Sequence, residues 1–207
     1  MFLSLADYTI ATEQLDFPEW HRERLNYALW YLEIDQPQLL AYLEGIRKSF
    51  EDIFIPSQRQ FHITLFVCGF LKDQNHKQYD DDFTLDQLYT QYLALKAASI
   101  QPFKVTCGGL ETFSTALFAK VNDTHGILRK IRTCLSQNVN EIAAVEYCPH
   151  ITLGLYKDGY LGQEIRKRMQ DFPLSSFDID IKNLRFGCYQ PKILQGEISP
   201  LIIQDLY

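Results

Sequence analysis

Phe61-His62-Ile63-Thr64-Leu65 and Pro149-His150-Ile151-Thr152-Leu153 carry the same phrase, His-Ile-Thr-Leu, 88 residues apart. Each copy sits in an apolar run rich in β-branched residues, which reads as a strand. Alternate side chains of a strand share a face. On that pattern His62, Thr64 and Phe66 point one way, as do His150, Thr152 and Tyr156. Ile63, Leu65, Ile151 and Leu153 turn the other way, into a core. Each copy then sets an imidazole and a hydroxyl two residues apart on one polar stripe.

The phrase is part of a longer repeat. Sliding the chain by 88 lays Ala28-Leu29-Trp30 on Ala116-Leu117-Phe118 and Asp35 on Asp123. Leu39, Leu40, Leu43 and Ile46 then fall on Ile127, Leu128, Ile131 and Cys134, with no gap from about 28 to 65. Phe177-Asp178-Ile179 with Leu184 echoes Phe103-Lys104-Val105 with Leu110 at a shorter offset. Two copies of this length mean a duplicated half-domain rather than a solenoid.

Local signals place the elements of each copy. A strand at 26–34 leads through Pro37 into a helix to about 50, because proline suits a first helical turn. The motif strand spans 59–70, a polar loop 72–82 and a helix 84–99. A strand at 103–112 follows, with Gly108-Gly109 as a bulge or bend. The second copy gives a strand at 115–122, Thr124 as an N-cap and a helix to about 137. The motif strand at 147–157, a helix at 162–171, a strand from 176 and a last strand at 196–205 complete it. The expected fold is α+β: two pseudo-symmetric lobes, each an antiparallel sheet with helices packed outside, facing a central cleft. Residues 1–25 match nothing in the second half and are expected to lie over the body as an extension. Residues 26–207 form one bilobal domain, with repeat units of about 26–113 and 114–206.

Composition bounds the function. The chain has 207 residues, 46% apolar and 14% aromatic, and no run of eighteen apolar residues. A cytoplasmic monomer without a membrane segment or secretory signal is expected. The five cysteines are scattered without a C-x-x-C pair and read as reduced, buried thiols. A formal net charge of −6 argues against an extended nucleic-acid surface, which needs a basic stripe. It leaves room for one phosphate or the end of a short RNA.

Two histidines on related strands can flank one reacting atom. Unperturbed imidazoles titrate near neutrality, so one serves as general base and the other as general acid. The paired threonines offer two hydroxyl donors, which suit the two non-bridging oxygens of a phosphodiester. The stripes hold no carboxylates, and the chain has no glycine-rich phosphate loop. Cofactor-free chemistry, without a metal, is therefore expected.

The paired His-x-Thr strands, about ninety residues apart, resemble those of the two-histidine (2H) phosphoesterase superfamily, which includes 2′-5′ RNA ligase-like proteins and cyclic phosphodiesterases. Pro149-His150-Ile151-Thr152-Leu153 is the most recognisable piece, and Gly69 falls where a glycine often follows the first motif. The resemblance implies a bilobal α+β fold and metal-independent hydrolysis or transfer at 2′,3′-cyclic or 2′-5′ phosphodiesters of a nucleotide or RNA end. It implies catalytic roles for His62 and His150 and phosphate contacts from Thr64 and Thr152. Ligase-like members often carry arginine near positions 66 and 155, where this chain has Phe66 and Leu155. Phe66 and Tyr156 are instead candidates for stacking a base.

Other readings stand beside this one. A nucleotide-binding module without turnover would use the same cleft, but binding alone needs no matched acid and base. An RNA-end ligase is disfavoured by the missing arginines and the acidic charge. Cys68 and Cys148 fall on the histidine stripes, but Cys68 is six residues from His62, about 20 Å along a strand, so one zinc ion cannot span them. Arg129-Lys130-Arg132 and Arg166-Lys167-Arg168 read as solvated helix faces. Arg22 or Arg24 would add positive charge to the cleft if the extension folded across it.

Overall fold

The computed structural model describes residues 2–13, 16–142, 144, 146–172 and 175–207. In chain order its elements begin with α1 (Pro18–His21), β1 (Tyr27–Glu33), α2 (Pro37–Ser49), a 3-10 turn (Glu51–Ile53), β2 (His62–Lys72), β3 (Asp82–Thr84), α3 (Leu85–Ala97) and β4 (Phe103–Thr112). The second half holds β5 (Ala116–Asn122), α4 (Ile127–Leu135), β6 (His150–Leu155), α5 (Gly162–Met169), β7 (Ser176–Ile181), β8 (Asn183–Tyr189) and β9 (Ser199–Asp205). One sheet has the order β3-β2-β1-β8-β9, the other β6-β5-β4-β7. All pairs are antiparallel except β2–β3, a short parallel addition at the edge that the sequence did not signal.

The trio β2-β1-β8 of the first sheet corresponds to β6-β5-β4 of the second. That correspondence corrects the echo between residues 103–110 and 177–184: β7 is the hydrogen-bonded neighbour of β4, with Val105 opposite Ile179, and not its counterpart. The counterpart of β4 is β8, which only Lys182 separates from β7. Sequence reading merged the two because the junction, Lys182-Asn183, carries neither the glycine nor the proline that most strongly punctuates a chain. The uninterrupted 88-residue register also slips by one in the first strand of each copy. Tyr31 stands opposite Thr64 as Phe118 stands opposite Thr152, and Trp30 faces the core instead. A slip of one exchanges the two faces of a strand.

Helices form where apolar spacing and end signals agree. Pro37 opens α2, which buries Leu39, Leu43 and Ile46. Thr84 and Gln87 close a capping box on α3. On α4 the expected cap at Thr124 is not used. The Asp123 carboxylate accepts from the Ile127 and Leu128 amides at 2.9 and 2.8 Å, and Gly126 takes the left-handed turn before it. Each copy's first helix packs against the other copy's motif strand, α2 on β6 and α4 on β2. One hydrophobic cluster therefore runs through both lobes, from Trp30, Ile63 and Phe186 to Leu117, Ile151 and Ile179.

Residues 2–13 run along the second lobe. The Leu3, Ile10 and Thr12 amides donate to the carbonyls of Thr112, Ser114 and Tyr156, and those of Gly162 and Gln163 donate to Asp7 and Leu5. Residues 16–25 lie at the outer edge of the first sheet. There Arg24 binds Asp81 and Asp82 and covers the Phe70 ring. Arg22 lies over Tyr79 in the same place, so both arginines sit by the β3 edge, at the far end of β2 from His62.

Candidate active site

Both motif strands carry the same irregularity. In β2 Tyr31 pairs with Thr64 and Trp30 with Phe66, which leaves Leu65 as an extra residue. In β6 Phe118 pairs with Thr152 and Leu117 with Gly154, which leaves Leu153 extra. A β-bulge reverses the side-chain alternation beyond it. His62, Thr64, His150 and Thr152 stay half-buried on the polar face, while Ile63, Leu65, Ile151 and Leu153 are buried. The expectation that Phe66 and Tyr156 share that face is overturned for this reason. Phe66 is 1% and Tyr156 0% exposed, and the Tyr156 hydroxyl shares a 2.6 Å hydrogen bond with Thr112 inside the core. Val67 and Leu155 take their place on the face. Cys68 is likewise carried into the core, away from the histidines.

A bulge leaves a carbonyl outside the ladder, and each is satisfied across the lobes. Arg47 of α2 donates to the Leu153 carbonyl at 2.8 Å, and Arg132 of α4 donates to that of Leu65. Arg132 also pairs with Glu141 at 2.6 Å, whose carboxylate accepts from the Val67 amide at 3.0 Å. Arg132 is thus not the solvated residue its helix position suggested. Arg166 is likewise tied to Glu111 and the Leu3 carbonyl, whereas Arg168 meets Asp52 in an exposed pair and Arg129, Lys130 and Lys167 are exposed as expected.

The two imidazoles are held alike. Nδ1 of His62 lies 2.8 Å from the Gln60 carbonyl, and Nδ1 of His150 lies 2.7 Å from that of Cys148. A carbonyl only accepts, so each Nδ1 carries the proton and each Nε2 presents its lone pair. Burial pulls the pKa of His62 down to about 4. The Gln60 carbonyl opposes that, and Arg59, His150 and Arg47 add to it through their charges. Burial lowers His150 as well, against its own carbonyl bond. His62 keeps some accessible surface, but the dense packing around the ring decides the direction. Both rings are neutral at pH 7 in the free protein. The Thr64 and Thr152 hydroxyls make no hydrogen bond among the described residues.

Thr64 of one motif strand and His150 of the other line one cavity of about 850 Å³, together with Phe2, Val67, Phe113, Arg132 and Tyr147. His62 and Thr152 stand outside its lining, yet a charge on His150 is felt at His62. Sequence reading missed several neighbours. Glu33 lies opposite His62 in the ladder and binds Arg185. Lys120 lies opposite His150. The Phe113 ring stands edge-on to His150 at 5.2 Å. Ladder register puts Glu33 and Lys120 beside the histidines, and no local motif marks them. Among the described residues, no three His, Cys, Asp or Glu side chains gather as ligands for one metal ion.

Comparison with known proteins places this arrangement. The sequence matches the family described as the 2′-5′ RNA ligase superfamily over residues 35–185, which include both motif strands. No curated protein matches it significantly. The structure resembles E. coli LigT complexed with 3′-AMP, with a TM-score of 0.60 at 12% identity over 89% of this chain and 99% of that one. It resembles the phosphate complex of E. coli LigT with a TM-score of 0.56 at 14% identity, over 89% and 99%. TT0787 of Thermus thermophilus gives 0.54 at 15%, over 87% and 97%. At such identities the likeness speaks for the fold, two curled antiparallel sheets with helices. With the family match spanning most of the sequence, the chain belongs to the 2′-5′ RNA ligase superfamily, the 2H phosphoesterases.

Proposed function

We propose that the protein is a metal-independent phosphodiesterase that acts on a 2′,3′-cyclic phosphate or a 2′-5′ phosphodiester of a nucleotide or RNA end. The observation that carries this reading is the matched pair of imidazoles, each with Nδ1 tied to the carbonyl two residues back and Nε2 free. One Nε2 takes a proton from water as the oxygen attacks phosphorus. The other, protonated, gives its proton to the departing ribose oxygen as the P–O bond breaks. Thr64 and Thr152 donate to the non-bridging oxygens as charge builds on them. The anionic substrate supplies what the free site lacks. A phosphate between two neutral imidazoles raises their pKa and favours one bound proton. The phosphate and 3′-AMP held by the E. coli LigT structures fit this substrate class.

The test is a panel of 2′,3′-cyclic nucleotides, 2′-5′ oligonucleotides and ADP-ribose cyclic phosphate, assayed in EDTA. Turnover of at least one class, undiminished by the chelator, is expected. Binding without turnover would leave a nucleotide-binding module, and activity lost on chelation and restored by a divalent ion would replace acid–base catalysis with metal catalysis.

A further inference from the structure

We infer that Phe2 and Phe113 form a nucleobase-stacking subsite beside His150, so that the segment 2–13 supplies part of the substrate pocket. The inference rests on the phosphodiesterase reading and adds where the base of the substrate lies. Three rings cluster next to the histidine, with Phe2 also tilted against Phe118 at 6.2 Å. Phe118 and Phe113 stack at 4.2 Å and 27°, and Phe113 and Phe2 at 5.4 Å and 25°. Phe113 and Phe118 both touch the His150 ring, with centroids 5.2 and 5.1 Å away. Phe113 and Phe2 line the cavity that His150 and Thr64 share, and Phe2 remains 54% exposed there.

That exposure is held in place. The next residue, Leu3, is 2% exposed; its amide donates to the Thr112 carbonyl at 3.0 Å, and its carbonyl accepts from Arg166 at 2.8 Å. Phe2 itself bridges to Phe113 through the backbone. Behind the segment, a Cβ on Gly162 would come within 2.0 Å of the Ser4 carbonyl oxygen, so only glycine lets the strap lie so close to α5. An anchored aromatic ring, open to a cavity and one ring away from an imidazole, suits a flat partner. Base–aromatic stacking tolerates any base and strengthens with ring area. The cavity, at about 850 Å³, is of the size of small-ligand pockets. Val67, Ile142 and Tyr147 line the same cavity.

The experiment compares kcat/KM for nucleoside 2′,3′-cyclic phosphates with kcat/KM for ribose 2′,3′-cyclic phosphate, which has no base. Phe2→Ala is expected to lower that ratio about tenfold, more for purines than for pyrimidines, and Phe2→Trp to restore it. Gly162→Val, which lifts the strap without altering a ring, is expected to lower the ratio as Phe2→Ala does. Circular dichroism checks that each variant is folded, which the exposure of Phe2 favours. An unchanged ratio in folded Phe2→Ala overturns the subsite. If the wild type turns over neither kind of cyclic phosphate nor a 2′-5′ dinucleotide, the phosphodiesterase reading has failed by itself. Titration with 3′-AMP then decides the subsite: about tenfold weaker binding by Phe2→Ala supports it, and equal affinity overturns it.

Discussion

A histidine that gives up its charge on folding leaves a mark on stability. The pKa of His62 falls to about 4 from an ordinary value of 6.5, chiefly through burial. The unfolded chain therefore binds a proton below pH 6.5 that the folded chain refuses until about pH 4. Stability is complete above 6.5 and declines as the pH falls through that window. At pH 4.5 the loss from this residue amounts to about 2–3 kcal/mol. His62→Gln is expected to remove most of it. Urea midpoints at pH 7 and 4.5 measure this, and a variant whose midpoint drops as far as the wild type's would place the acid sensitivity elsewhere. The imidazoles themselves were legible in the sequence, since two copies of one rare phrase need no structure to be seen. Their depressed pKa values were not legible, because they come chiefly from burial, which only the assembled fold supplies.

At the scale of the elements, the bulges decide which side chains reach the cleft. Leu65 and Leu153 sit where a clean alternation breaks: two core residues follow one another in Leu65-Phe66 and in Leu153-Gly154. That break is a sequence signal for a bulge, and a strict period of two hides it. It explains why His62, Thr64, His150 and Thr152 were placed on the right face and Phe66 and Tyr156 were not. The arginines that satisfy the bulged carbonyls come from the opposite copy, which no repeat alignment brings together. Removing a charged donor from a buried carbonyl costs about 1.5–3 kcal/mol. Arg47→Met is expected to lose about that much stability. Arg132→Met should lose more, because it also leaves Glu141 without its cation in a half-buried place. Arg47→Met should lower kcat more than it raises KM, since the bulge it supports sets the direction of His and Thr rather than touching substrate. Urea titration and steady-state kinetics on one preparation test the pair; wild-type stability in both variants would mean that the carbonyls find water instead.

For the whole molecule, the two lobes interlock. β4 leaves the first copy for the second sheet, β8 returns to the first, and α2 and α4 each cover the other copy's motif strand. The α+β class and the two pseudo-symmetric lobes were readable from spacing, while the exchange was not, because strand pairing between distant segments is written in no local pattern. The strand of each histidine is thereby backed by a helix of the other copy, and we propose that the two histidines work as an acid and a base. The most direct measurement is the pH dependence of kcat/KM on a 2′,3′-cyclic nucleotide for the wild type, His62→Ala, His150→Ala and the double variant. The free site holds both imidazoles below the ordinary 6.5. The wild-type bell should therefore peak on the acid side of that value, with apparent values that belong to the pair. Each single variant should lose one limb and about 10²–10⁴ of the rate, and the double variant should be little worse than either. A folded single variant with near wild-type kcat/KM and an unchanged bell would contradict the account.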